Sequence, residues 1–120
     1  TYSHSEPQFC YTNSSFLFLN IISDNVIGIF TDHNFTTYEN PVFTTKLNSS
    51  SGYSIEQRCF TIGTKFFIFW KNTSTQYIYL KIIDENGTII KSDTELVKAN
   101  YYNFRVQSLE TKFVLFYTVN

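Results

Sequence analysis

The sequence predicts an all-β domain, and three observations carry that expectation. The first is composition. Among 120 residues there are 13 Phe and 9 Tyr, aromatics reach 19%, Met is absent and alanine occurs only at Ala99. Phe, Tyr, Ile, Val and Thr suit a pleated, half-buried surface, and no stretch holds a helical period for three turns. The second is the stretch Lys65 to Leu96, where apolar runs alternate with polar turns: Phe66–Trp70, then Lys71–Thr75, then Tyr77–Ile83, then Asp84-Glu85-Asn86-Gly87, then Thr88–Lys91. Asn-Gly between two strand-like runs signals a tight hairpin in which both turn residues take positive φ. The third is internal repetition at the scale of four strands.

The repetition places the elements. Arg58–Trp70 (RCFTIGTKFFIFW) lies over Arg105–Tyr117 (RVQSLETKFVLFY) at a shift of 47, with Arg58/Arg105, Thr64/Thr111, Lys65/Lys112, Phe66/Phe113 and Phe69/Phe116 identical. A more decayed copy sets Phe9–Thr12 over Arg58–Thr61 at a shift of 49, Phe16–Leu19 over Phe66–Phe69 after one lost residue, and Val26–Thr36 over Ile78–Thr88 at a shift of 52. The better copy predicts strands at Lys65–Trp70, Tyr77–Asp84, Thr88–Lys91 extended toward Val97, and Phe104–Leu109. Phe104 and Val106 alternate with Arg105 and Gln107, as in a strand with one buried face. Lys65–Trp70 is apolar nearly throughout, as in a strand covered on both faces. The earlier copy predicts Phe16–Ile21, Asn25–Thr31, a short piece near Phe35–Tyr38 or Val42–Lys46, and Ser54–Phe60. Two fragments remain: Gln8–Thr12 matches the last strand of a preceding repeat, and Phe113–Val119 the first strand of a following one.

The expected fold is therefore all-β, with two four-stranded antiparallel repeats of roughly 47–50 residues and complementary terminal strands. Residues 1–120 form a single domain, with repeat 1 at about 13–61, repeat 2 at about 62–110 and a terminal strand at 111–120. A unit of this size resembles a propeller blade. The carriers Phe66–Trp70, Ile78–Ile83, Asp84–Gly87, Glu95–Val97 and Val106–Val114 resemble a family of tandem all-β repeats in large surface and secreted proteins of bacteria and protists. The resemblance covers Lys65–Val119 well and Cys10–Cys59 loosely. It implies blade-like sheets and extracellular display, and no catalytic residues. Two blades do not close a propeller. Three arrangements follow: an excerpt of a longer array, two sheets packed face to face as a sandwich, or completion by neighbouring copies. In the last, the strand Phe113-Val114-Leu115-Phe116-Tyr117 would be an apolar edge that a second copy pairs head to tail.

Address follows from sequons and cysteines. Asn13, Asn34, Asn48, Asn72 and Asn86 each head an N-x-[ST] motif, where 11 Asn and 27 Ser/Thr placed at random give about two. The motifs fall in loops or turns and predict N-linked glycans on a secreted, extracellular or cell-surface protein. Cys10 and Cys59 are the only cysteines and predict a disulfide. They occupy matching repeat positions, which in adjacent blades stand about 10 Å apart, whereas a disulfide needs Cα atoms within about 7 Å. An intrachain bridge requires the two units to converge there; an interchain bridge is the alternative.

Other chemistry is sparse. Net charge is -1 with two arginines, which argues against nucleic-acid binding. No apolar run approaches the roughly 20 residues of a membrane span. The chain opens on Thr1 rather than Met, as expected of a processed form or an excerpt. His4 and His33 have no partner at ligand or catalytic spacing, and Asp32-His33 reads as a solvated turn. Asp84-Glu85-Asn86-Gly87 begins like a Ca²⁺ loop, but Ile89 and Ile90 fill ligand positions. No cofactor and no catalytic residue is expected. Tyr101 and Tyr102, flanked by Asn100 and Asn103, would suit sugar stacking or a subunit contact. The expected role is a non-enzymatic, self-assembling glycoprotein module of a surface fibre or coat, with a carbohydrate-binding or adhesion module as the alternative.

Overall fold

The structure, a computed structural model, describes residues 8–22, 25–32, 43–46, 54–99 and 104–118. These residues form ten strands and no helix: β1 (Gln8–Tyr11), β2 (Ser15–Ile22), β3 (Asn25–Asp32), β4 (Phe43–Lys46), β5 (Ser54–Ile62), β6 (Lys65–Asn72), β7 (Tyr77–Asp84), β8 (Ile89–Lys98), β9 (Phe104–Leu109) and β10 (Lys112–Tyr117). Every expected strand within the described residues has a counterpart. The short piece of the first copy falls at Phe43–Lys46; the competing site Phe35–Tyr38 lies outside the described residues.

All pairings are antiparallel meanders, arranged as β1-β2-β3-β4, β5-β6-β7-β8 and the two-stranded β9-β10. We call these sheets 1, 2 and 3. The sheet boundaries correct the expected repeat boundaries by one strand. β5 was expected to close repeat 1 and instead pairs with β6, opening sheet 2. β9 likewise pairs with β10 rather than closing repeat 2. The cause lies in the connections. Two residues join β5 to β6, with Gly63 at φ +62°, and two join β9 to β10. Tight turns of this length force antiparallel neighbours. The terminal fragments are accordingly not orphans: Gln8–Tyr11 is β1 and Phe113–Tyr117 lies in β10, each paired within its own chain.

Register also corrects the alignment of the two copies. Cys10 stands opposite Leu17 and Cys59 opposite Ile68, while Leu17 pairs with Phe30 and Ile68 with Lys81. β2–β3 therefore matches β6–β7 at a single shift of 51, between the 50 and 52 that residue identity suggested. A slip of one residue exchanges the faces of a strand, so the correction decides what packs where.

With register fixed, each sheet has a cysteine face and an opposite face. The cysteine faces of sheets 1 and 2 pack on each other. Leu17, Leu19, Val26 and Phe30 meet Phe66, Ile68, Trp70, Tyr79 and Ile83 in one buried cluster that contains both cysteines. Phe30 and Phe66 cross this core edge to face at 5.8 Å. The second cluster covers the other side of sheet 2. Phe60, Phe67, Phe69, Ile78 and Leu80 receive Phe104, Val106, Phe113 and Leu115 of sheet 3. β6 is thus covered on both faces, which its continuous apolar run anticipates.

This three-layer order corrects the blade-like expectation. Successive propeller blades meet by unlike faces, since one rotation relates each to the next. Sheets 1 and 2 meet by like faces, as the two halves of a sandwich do. Only the contact of sheet 2 with sheet 3 joins unlike faces.

Candidate functional site: an open edge, two uncovered faces and a polar end

The Cys10–Cys59 bridge follows from this packing. It is an intrachain disulfide with Cα atoms 6.1 Å apart across 49 residues of sequence. Matching residues of blades cannot approach so closely. Matching residues of two sheets packed by like faces can.

Three turns gather at one end of the stack. Thr12, in the β1–β2 turn, donates from Oγ1 to Glu85 Oε2 at 2.7 Å, and Ser15 Oγ donates to the Glu85 carbonyl at 3.4 Å. Glu85 N–H donates to the Thr64 carbonyl of the β5–β6 turn at 3.1 Å. In the β7–β8 turn, Asp84 Oδ1 accepts from the N–H groups of Asn86 and Thr88 at 2.9 and 2.8 Å. Gly87 N–H donates to the Asp84 carbonyl, and Gly87 alone takes positive φ, +86°. The expected two-residue Asn-Gly turn is therefore a type I turn followed by a left-handed glycine.

The sequons separate on this frame. Asn13 and Asn86 are exposed, one in each of the turns that Thr12 and Glu85 tie together. Asn72 is fully buried, and its Oδ1 accepts from the N–H groups of Ser74 and Thr75 at 2.9 and 3.1 Å. That side chain has no room for a glycan in the folded chain, which withdraws Asn72 from the glycan-bearing set. Asn34 and Asn48 lie outside the described residues, as do Tyr101, Tyr102, His4 and His33.

The expected assembly strand sits at the edge of sheet 3. In β10, Phe113 and Leu115 point onto sheet 2, where the Phe113 ring lies 4.9 to 5.6 Å from those of Phe60, Phe67 and Phe69. Val114 and Phe116, on the opposite face, are exposed, as is Tyr117. Among the described residues no strand pairs the outer edge of β10. In sheet 2 that place beside β6 is taken by β7.

A feature that sequence reading missed lies on the opposite face of sheet 1. Phe9 is 54% and Tyr11 59% exposed. Phe9 stacks on Tyr11 at 6.2 Å and on Phe18 at 5.6 Å, and Tyr11 lies 6.0 Å from Phe16. Phenylalanines in strands read as core by composition. The signal was available in their alternation with Cys10, Leu17 and Leu19, once that set is known to face inward.

Two lysines are buried as well. Lys81, on the cysteine face of sheet 2, pairs with Asp93 at 3.4 Å, each side chain 9% exposed. Burial pushes the Lys71 ammonium below its ordinary pKa of 10.5. Among the described residues, no group of three or more His, Cys, Asp and Glu converges, and no helix is long and apolar enough to cross a membrane. Comparison with models of protein families, with curated proteins and with solved structures returned no match.

Proposed function

We propose that the chain is a non-enzymatic, N-glycosylated extracellular module with a structural role, that its main partner is a second copy of itself, and that the assembled form is a surface fibre or coat. One observation carries the reading: both outer faces of the stack expose aromatic side chains, Phe9 and Tyr11 on sheet 1 and Phe116 beside Val114 on sheet 3. Among the described residues the outer strand of sheet 3, Lys112–Tyr117, holds one charge followed by five apolar residues and has no proline.

The intrachain disulfide is consistent with an oxidising, extracellular setting. Glycans on Asn13 and Asn86 would stand in the β1–β2 and β7–β8 turns, at the polar end of the stack. Carbohydrate binding is the second reading, and the stacked Phe9–Tyr11 pair offers a platform for a sugar ring. The same face continues into Phe16, Phe18, Ile27 and Ile29, with Asn20, Thr44 and Lys46 in register on its far side, and the contiguous apolar area around Phe9 and Tyr11 favours a protein partner.

The test is the mass in solution of the deglycosylated chain across a wide concentration range, by light scattering on a sizing column. Species of several times 14.1 kDa that grow with concentration are expected. A single 14.1 kDa species throughout would sink the reading.

A further inference from the structure

The outer layers of the stack end in faces of different chemistry at matching positions. Register places Phe9, Tyr11, Phe16 and Phe18 of sheet 1, Arg58, Phe60, Phe67 and Phe69 of sheet 2, and Arg105, Gln107, Val114 and Phe116 of sheet 3 at equivalent sites on the face opposite the cysteines. In sheet 2 this face is in use. The Arg58 guanidinium lies over the Phe104 ring, 6.0 Å from its centroid, and Phe113 nests among the three phenylalanines. The molecule thus contains one worked example of what such a face binds: another sheet, held by an arginine over an aromatic ring and by packed aromatic side chains.

On sheet 3 the arginine is present and its ring is missing. Arg105 is exposed, with Lys112 on the same face and Leu109, Val114 and Phe116 exposed around it. On sheet 1 the rings are present and Phe9 occupies the arginine position; the one lysine that register places on this face, Lys46, lies opposite Ile27 on β4, the edge strand farthest from Phe9 and Tyr11.

The geometry points to a head-to-tail contact in which the outer face of sheet 1 receives the outer face of sheet 3 of a second copy, with Arg105 over the Phe9/Tyr11 rings. This rests on the self-association proposed above and names the two surfaces that meet. Like-with-like pairing is the poorer match. Two sheet 3 faces would bring Arg105 and Lys112 against their own copies, and two sheet 1 faces would leave the arginine without a ring. A contact between unlike faces does not close on itself unless its rotation makes a ring, so each docking leaves one face of each kind free. The copies then extend the layer order 1-2-3-1-2-3 along a fibre.

Two variants of the full chain test this by sedimentation velocity. Phe9→Ser/Tyr11→Ser removes the rings of sheet 1, and Arg105→Gln/Phe116→Ser removes the anchors of sheet 3. All four side chains are exposed, so circular dichroism and the intact disulfide should match the parent chain. Each variant alone is expected to be a monomer. Their equimolar mixture is expected to give a species of two chains and nothing larger, because one intact face of each kind remains. A dimer of Arg105→Gln/Phe116→Ser alone would overturn the proposal in favour of pairing between sheet 1 faces. A dimer of Phe9→Ser/Tyr11→Ser alone would overturn it in favour of pairing at sheet 3 or the β10 edge. A mixture that stays monomeric would also overturn it. In each case oligomers of the parent chain would leave self-association standing, whereas a monomeric parent would remove both.

Discussion

Asn72 acts as a structural residue of the β6–β7 turn despite standing in a sequon. Its Oδ1 holds two backbone N–H groups, and its own carbonyl accepts from Gln76 N–H at 2.7 Å, with Gln76 at φ +65°. Asn72→Ala is expected to lower stability by about 1–2 kcal/mol, the cost of losing two hydrogen bonds that hold the turn. Gln76→Gly is expected to leave stability unchanged or slightly higher, because glycine takes that φ without steric penalty. Urea unfolding of the two variants checks both. Lys71 gives a prediction with a sign. With its folded pKa below 10.5, the unfolded chain holds the extra proton between the two values, so this residue makes stability rise with pH in that window. Lys71→Met should remove that alkaline rise, measured as the difference between the two urea-midpoint-against-pH curves. A buried ion pair behaves differently. Lys81→Met leaves the Asp93 carboxylate without its cation, at a cost of about 3 kcal/mol.

At the scale of elements, β10 has two faces with different duties. Phe113→Ala should cost about 2 kcal/mol in the stability of the single chain, less than a fully buried phenylalanine because Phe113 is half-buried. Phe116→Ala should cost at most about 0.5 kcal/mol and yet weaken association. Both can be read by unfolding and sedimentation of the same samples. Strand positions were legible because alternation, apolar runs and turn residues are local signals: Tyr77–Asp84 and Phe104–Leu109 match their expected bounds. Sheet membership was not. A tandem repeat can be cut before any of its strands, and whether β5 belongs with β4 or β6 depends on the Gly63 turn rather than on the pattern of either strand. The faces were illegible for the related reason that an alignment shifted by one residue inverts them. That slip concealed both the like-face packing of sheets 1 and 2 and the aromatic patch at Phe9 and Tyr11. Among the candidate site residues, the pairing of Cys10 with Cys59 was legible from count and the burial of Asn72 was not, because a sequon carries no information about the turn it caps.

For the whole molecule, the disulfide and the stack act together. The bridge joins sheets 1 and 2 across 49 residues and should contribute about 4 kcal/mol by restricting the unfolded chain. Its reduction should lower the unfolding midpoint and loosen the contact that holds sheet 1 on the stack. The stack itself, 47 × 35 × 22 Å, exposes aromatic side chains on both outer faces, Phe9 and Tyr11 on one and Phe116 on the other. The most direct measurement is small-angle scattering of the deglycosylated chain at rising concentration. The radius of gyration is expected to climb well above the 13.9 Å of one chain while the cross-section of the scattering particle stays constant, as rods lengthen by stacking. A radius that remains near 13.9 Å at every concentration would contradict it.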